Sequence, residues 1–257
     1  MLPNTQRSRA FLAVLLGISA AFMLLAEDAA DDFAGRARRL YEQALNDFKA
    51  DANSTNAALN LARASFDWNE FSTNNAQRAE IARVGIEACK RLITRKPEAV
   101  AGQYYLAMNL GKLAQAEAPS LTAYRMVYEV EAAFINATRL DVHYDHGGPA
   151  RNLGQLYYQA PGWPLSVGNK RKARQWLEMA VSLEPGYPEN QLKLAEARLK
   201  WHETGLFQAT LTNIASIWPA ARTNFAGQAW EHRWPDWDAR RKMLEQESRR
   251  LASLNSQ

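Results

Sequence analysis

The chain has 257 residues, 47% of them hydrophobic, 23% charged and 10% aromatic, a mixture near the average for folded soluble proteins. With 13 Gly, 10 Pro and a mean hydropathy of −0.41, it is neither a low-complexity chain nor a polytopic membrane protein. The 31 Lys and Arg against 27 Asp and Glu leave a formal charge of +4 with both signs interspersed, so no nucleic-acid partner is indicated, and the single Cys89 allows no internal disulfide and no multi-cysteine metal site.

The first nine residues hold Arg7 and Arg9 and no acid, an uncharged apolar run follows from Ala10 to Ala26, and Glu27 and Asp28 then open a polar continuation. This order predicts a signal peptide or an N-terminal membrane anchor over residues 1–26, with 27–257 as an exported body placed in the periplasm. No cysteine follows the run to carry a lipid.

Ala37, Leu40, Tyr41, Ala44, Leu45 and Phe48 then fall at helical spacing on one face and predict a helix near 34–50. Further helices are predicted near 55–70, 76–95, 99–116, 120–140, 149–159, 170–184, 188–203, 206–217 and 236–252. The stripes behind them include Ile81, Val84, Ala88 and Leu92, then Ala173, Trp176, Leu177 and Ala180, and later Phe207, Leu211, Ile214 and Trp218. Asn74, Asn75 and Asn169 mark helix starts, and Pro97, Pro185 and Pro219 mark stops. No segment alternates with period two for long enough to be a strand, so the fold class is all-α.

The segment ends RLITRKP at Pro97, INATRLD at Asp141, MAVSLEP at Pro185 and NIASIWP at Pro219 recur at spacings of 44, 44 and 34 residues. Such a period predicts an α-solenoid of four to five stacked helix pairs. The match to the tetratricopeptide repeat is best mid-chain, where Leu153, Gly154 and Tyr157 reproduce L-G-x-x-Y and Ala173, Leu177 and Pro185 fill the second helix and its closing proline. This part of the chain resembles that repeat family, which implies tetratricopeptide-like helix pairs and a function by binding. Between Tyr157 and Ala173 the segment Ala160 to Gly168 is an insertion.

Asp141, His143, Asp145 and His146 carry the donor types of a divalent-metal site, but four ligands this close in sequence need a second segment to converge. The same residues, followed by Gly147, Gly148 and Pro149, make a polar turn between helices, so no metal and no cofactor are expected and a metal-dependent enzyme is the least favoured reading. No nucleophile elbow, phosphate loop or H-E-x-x-H occurs, so no catalytic residue is assigned, and Cys89 reads as a packing residue.

Aromatic side chains are the better candidates. The neighbours in Tyr104-Tyr105 and Tyr157-Tyr158 cannot both face inward on a helix. With Trp201 and Trp163 these tyrosines form the candidate ligand- or partner-contact set. Trp163 is its principal member, because Pro161 and Pro164 stiffen the inserted loop on either side of it; the rival account has its indole covering the gap between neighbouring helix pairs.

The combination of an exported tetratricopeptide-like body with the segments Gly147 to Tyr157, Pro161 to Gly168 and Lys172 to Pro185 resembles the T-component of tripartite ATP-independent periplasmic transporters. The resemblance implies a non-enzymatic, all-helical accessory protein of periplasmic solute uptake. It would self-associate as a homo-oligomer and meet a protein partner, a periplasmic solute-binding protein that delivers a small ligand. A generic periplasmic scaffold for protein–protein interaction is the alternative.

Overall fold

The computed structural model describes residues 33–254, so the leader expected over residues 1–26 lies outside the described residues. These residues form ten helices and no strand: α1 (33–50), α2 (Thr55–Asn69), α3 (Asn75–Arg95), α4 (Val100–Glu117), α5 (Leu121–Leu140), α6 (Tyr144–Gln159), α7 (Lys170–Leu183), α8 (Pro188–Lys200), α9 (Thr204–Asn224) and α10 (Trp234–Leu254). The starts are fixed by short polar side chains. Ser54, Asn74, Ser120 and Asn169 accept the backbone N–H of Ala57, Gln77, Ala123 and Lys172, satisfying donors that have no carbonyl of their own in the first turn.

The helices lie in two layers. Consecutive helices pack against one another from α2 to α10, apart from the weaker α9–α10 junction, and the even-numbered ones also stack directly, α2 on α4, α4 on α6, α6 on α8 and α8 on α10. The repeating unit is therefore an even helix followed by an odd one, and the predicted ends at Pro97, Asp141 and Pro185 all fall just after the odd helix of a pair. Within α6–α7 the approach is so close that a Cβ on Gly154 would come within 2.9 Å of the Leu177 backbone nitrogen. Leu177 and Ala173 are themselves fully buried there. Asn109, also fully buried on α4, ties neighbouring helix pairs together within the even-numbered layer by donating from Nδ2 to the carbonyl of Ala62 on α2 as well as to that of Tyr105, and Cys89 is a buried free thiol in the cluster with Leu61 and Ala62.

Pro219 does not stop its helix. It lies inside α9, which runs on to Asn224. Proline removes one N–H bond to the preceding turn, but Pro219 is on the exposed face where water reaches the freed carbonyl, while Trp218 and Ala221 stay anchored in the C-terminal core. The 34-residue spacing is thus no helix end; the last pair departs from the pattern of the others.

That C-terminal core is aromatic, built from Tyr187, Phe207, Trp218, Trp234 and Trp237. Its loop between α9 and α10 reaches back to the start of α1, where the rings of His232 and Phe33 lie 6.2 Å apart.

Candidate functional site

The stretch with the metal-donor composition forms a left-handed turn. Asp145 (φ 49°), His146 (φ 55°) and Gly147 (φ 73°) are three successive residues in a region that only glycine enters without strain. Arg151, 5% exposed and one turn into the regular part of α6, holds the turn from inside. Its Nη1 donates to the carbonyls of Asp145 and His146 at 3.2 Å each and to Asn190 Oδ1 at 3.0 Å, and its Nη2 donates to Asp145 Oδ2 at 2.8 Å. Tyr104 Oη donates to the same carboxylate oxygen at 2.6 Å and accepts from Asn152 Nδ2 at 3.0 Å. Asn190 Nδ2 closes the circle onto the carbonyls of His146 and Ala180.

Burial opposes the charge on Arg151, yet Tyr104 and Asp145 outweigh it and hold the guanidinium protonated. Burial, then Asp145, pushes the Tyr104 hydroxyl well above its ordinary value. His146 is stacked 4.6 Å from the ring of Tyr187, over which Arg151 also lies at 5.2 Å. The potential ligands therefore diverge: Asp145 is committed to Arg151 and Tyr104, His146 to the aromatic stack, and His143 Nδ1 lies 3.6 Å from Glu184. Among the described residues no group of three or more His, Cys, Asp or Glu could hold a metal ion. Asp145, through Arg151 and Tyr104, is spent on holding the left-handed backbone of the turn.

The same polar layer continues at the start of α8. Glu189 accepts from Trp237 Nε1 at 2.7 Å and from Arg240 Nη1 at 2.8 Å. Burial alone would raise its carboxyl, but Arg240, Lys193 and Arg151 outweigh burial and hold it down at about 2.

The six aromatic candidates separate into two places. In each tyrosine pair the first member is interior: Tyr104 is part of the turn just described, and Tyr157 is buried with its hydroxyl donating to Glu131. Tyr105 is half-buried against Tyr104 and lies on the central core, and burial, then Tyr144, raises its hydroxyl. Tyr158 and Trp201 meet at the opposite edge of the even-numbered layer, where α6 and α8 end, with ring centroids 5.9 Å apart. Lys170 and Arg174 lie over the Trp201 ring at 5.3 and 5.5 Å, and Lys200 lies over Tyr158 at 4.9 Å.

Trp163 stands at that edge too, on the loop joining α6 to α7, and it covers no gap between helix pairs: its indole is 88% exposed. The loop beneath it is closed by a bridge between Gly162 and Gly168 and by the bonds from Gly168 N to Pro161 O and from Asn169 N to Tyr157 O, both 2.9 Å. Gly168 is required there, since a Cβ would come 2.0 Å from the carbonyl oxygen of Ala160. Ser166 is buried and Val167 packs on the central core, which leaves Trp163 and Leu165, 65% exposed, as the displayed pair.

Leu121, Tyr124 and Tyr128, on one face of the first turns of α5, are also exposed and lie outside the aromatic candidate set. Their spacing of three and four residues is a helical stripe like those of the core, and nothing in the sequence alone distinguishes an outward stripe from an inward one.

No protein-family model and no curated protein sequence matches the chain. Among solved structures it is similar to TTC0263, a thermophilic TPR protein of Thermus thermophilus, at 18% identity over 82% of this chain and 91% of that one, with a TM-score of 0.56. MamA (18% identity, 76% and 92% covered, TM-score 0.43) and PilF of Pseudomonas aeruginosa (15% identity, 88% and 92% covered, TM-score 0.47) superpose less closely. The likeness to TTC0263 bears on the fold alone, and with the layering described above it identifies the architecture as an all-α stack of tetratricopeptide-type helix pairs.

Proposed function

We propose that this chain is an exported, non-enzymatic helical-repeat binding protein, an accessory component of periplasmic solute uptake resembling the T-component of tripartite transporters, and that the 160–168 loop is its principal contact. The observation that carries the reading is the display of Trp163. A protein that shows a tryptophan at 88% exposure on a loop clasped by backbone bonds has paid the ordering entropy in advance, as a contact hot spot requires. Tyr158 and Trp201 at the same end extend the surface and the interior Tyr157 lies beneath it, whereas Tyr104 belongs to the turn at the opposite end of α6.

A general interaction scaffold is the second reading, and one observation favours it. The depression between α1 and α2, about 430 Å³, is lined by Leu40, Asp47, Arg63 and Asp67 and by no aromatic side chain, which suits an extended partner better than a small enclosed solute. The test common to both is Trp163→Ala in the full chain. Helicity and melting temperature should hold while retention on the immobilised solute-binding protein of the same transport system falls. A variant that unfolds readily yet binds fully per folded molecule overturns the contact role. Export is tested separately with a reporter fused after residue 40, whose confinement to the cytoplasm would overturn it.

A further inference from the structure

We infer that the edge of the stack bearing Trp163, where α6 ends and α5 begins, docks on an anionic lipid bilayer; this rests on the reading of the 160–168 loop as a contact surface and names what it contacts. The large apolar side chains there are Trp163 (88% exposed), Leu121 (79%), Leu165 (65%), Tyr128 (49%) and Tyr124 (37%). They come from two segments that the fold brings to one end. Helices α5 and α6 are joined by a short turn and so run antiparallel, and Glu131 of α5 meets both Tyr157, near the end of α6, and Lys172, in the first turn of α7. The residues of α5 before Glu131 therefore lie toward the same end as the chain that follows Tyr157.

The charge of these two segments is one-sided. Residues 118–128 and 159–174 contain no acid and hold Arg125, Lys170, Arg171, Lys172 and Arg174. Lys170 and Arg174 are paired with Glu203 and Lys172 with Glu131, while Arg125 and Arg171 are exposed with no acidic partner among the described residues. Two acids bound the first segment, Glu117 directly before Ala118 and paired with Arg83, and Glu129 directly after Tyr128. Protein interfaces also take up tryptophan, tyrosine and arginine, but their cores are depleted in lysine and in charge as a whole. An exposed tryptophan, tyrosines and leucines rimmed by unneutralised cations is instead the pattern of a surface seated among headgroups, with rings at the polar boundary and cations on lipid phosphates. The loop also meets the mechanical need, since its backbone is bonded to itself and to Tyr157 and can carry Trp163 into the interface without refolding.

The experiment uses the full chain with vesicles of phosphatidylcholine alone or mixed with phosphatidylglycerol, carrying brominated acyl chains. Because residues 10–26 can enter a bilayer by themselves, the readout is the Trp163 emission, taken as the difference between the wild-type chain and Trp163→Phe. The expected result is quenching of that emission in anionic but not zwitterionic vesicles, with its vesicle-concentration dependence weakened about tenfold in Arg125→Glu/Arg171→Glu, whose helicity is checked in parallel. Trp163 emission that stays open to aqueous iodide in anionic vesicles overturns the proposal. If Trp163→Ala then still loses retention on the solute-binding protein, the contact role survives with a protein as its occupant; if it loses nothing, the contact role falls as well.

Discussion

The turn at 145–147 and the loop at 160–168 flank the same helix and use their side chains in opposite ways. At the turn, a buried arginine, an aspartate, a tyrosine and an asparagine turn inward and satisfy one another, so that a strained backbone is held by polar groups. At the loop, the backbone satisfies itself and the large apolar groups turn outward. The polar residues with the donor types of a metal site build a turn, as their neighbouring glycines and proline suggest, and the large apolar residues between two prolines are displayed outward. At both ends of α6 what decides the role is whether a group's partners lie inside the protein.

Four substitutions bear on this contrast. The largest effect is expected from Arg151→Met, which strips the left-handed turn of the cation that bonds the Asp145 carboxylate and two carbonyls and leaves only Tyr104 and Asn190 as donors; a loss of about 3–4 kcal/mol should appear as a melting temperature lower by about 10 °C. A neutral result would mean that the turn holds itself and that the contrast is false.

Acid should act on the same polar layer through Glu189. Its carboxyl is held at about 2 in the folded state against an ordinary 4.5, so its stabilisation is complete above about pH 5 and is lost as pH falls toward 2. The loss is on the order of 3 kcal/mol, and Glu189→Gln should flatten the dependence of melting temperature on pH across that window.

Gly168→Ala comes next, with about 1–3 kcal/mol as the backbone around Ala160 moves to admit the Cβ; it should also raise proteolysis within 160–168, since it opens the clasp. The smallest change is Trp163→Ala, within about 0.5 kcal/mol of the parent by thermal melting. A loss near 3 kcal/mol would show that the indole is packed after all and would erase the difference between the two regions.

The fold was legible because its signals are local. Asn74 and Asn169 cap the helices they were expected to start, and the stripe through Ala173 and Leu177 is buried where the period placed it. Pro219 misled because a proline's local cost was weighed without the tertiary anchors on either side of it. The site was less legible. The exposure of Trp163 followed from the two prolines beside it, but Arg151, Asn109 and Asn190 look like ordinary solvent-facing residues of helices. Only three-dimensional convergence buries them, Asn109 where α4 meets α2 and α3, and Arg151 and Asn190 where α6 meets α8.

The meeting of Phe33 with His232 bears on how the molecule comes apart. In an open array each unit depends on its neighbours alone, so the ends can fray and stability grows with the number of units. Here the first described helix touches the loop before the last, and opening either end removes a contact belonging to the other. Closing so long a stretch of chain costs little more entropy than closing a short one, because the cost rises only with the logarithm of loop length. Unravelling from one terminus is thereby coupled to the opposite terminus, and a truncation that trims the last helix should loosen hydrogen exchange in α1 as well as in α8 and α9.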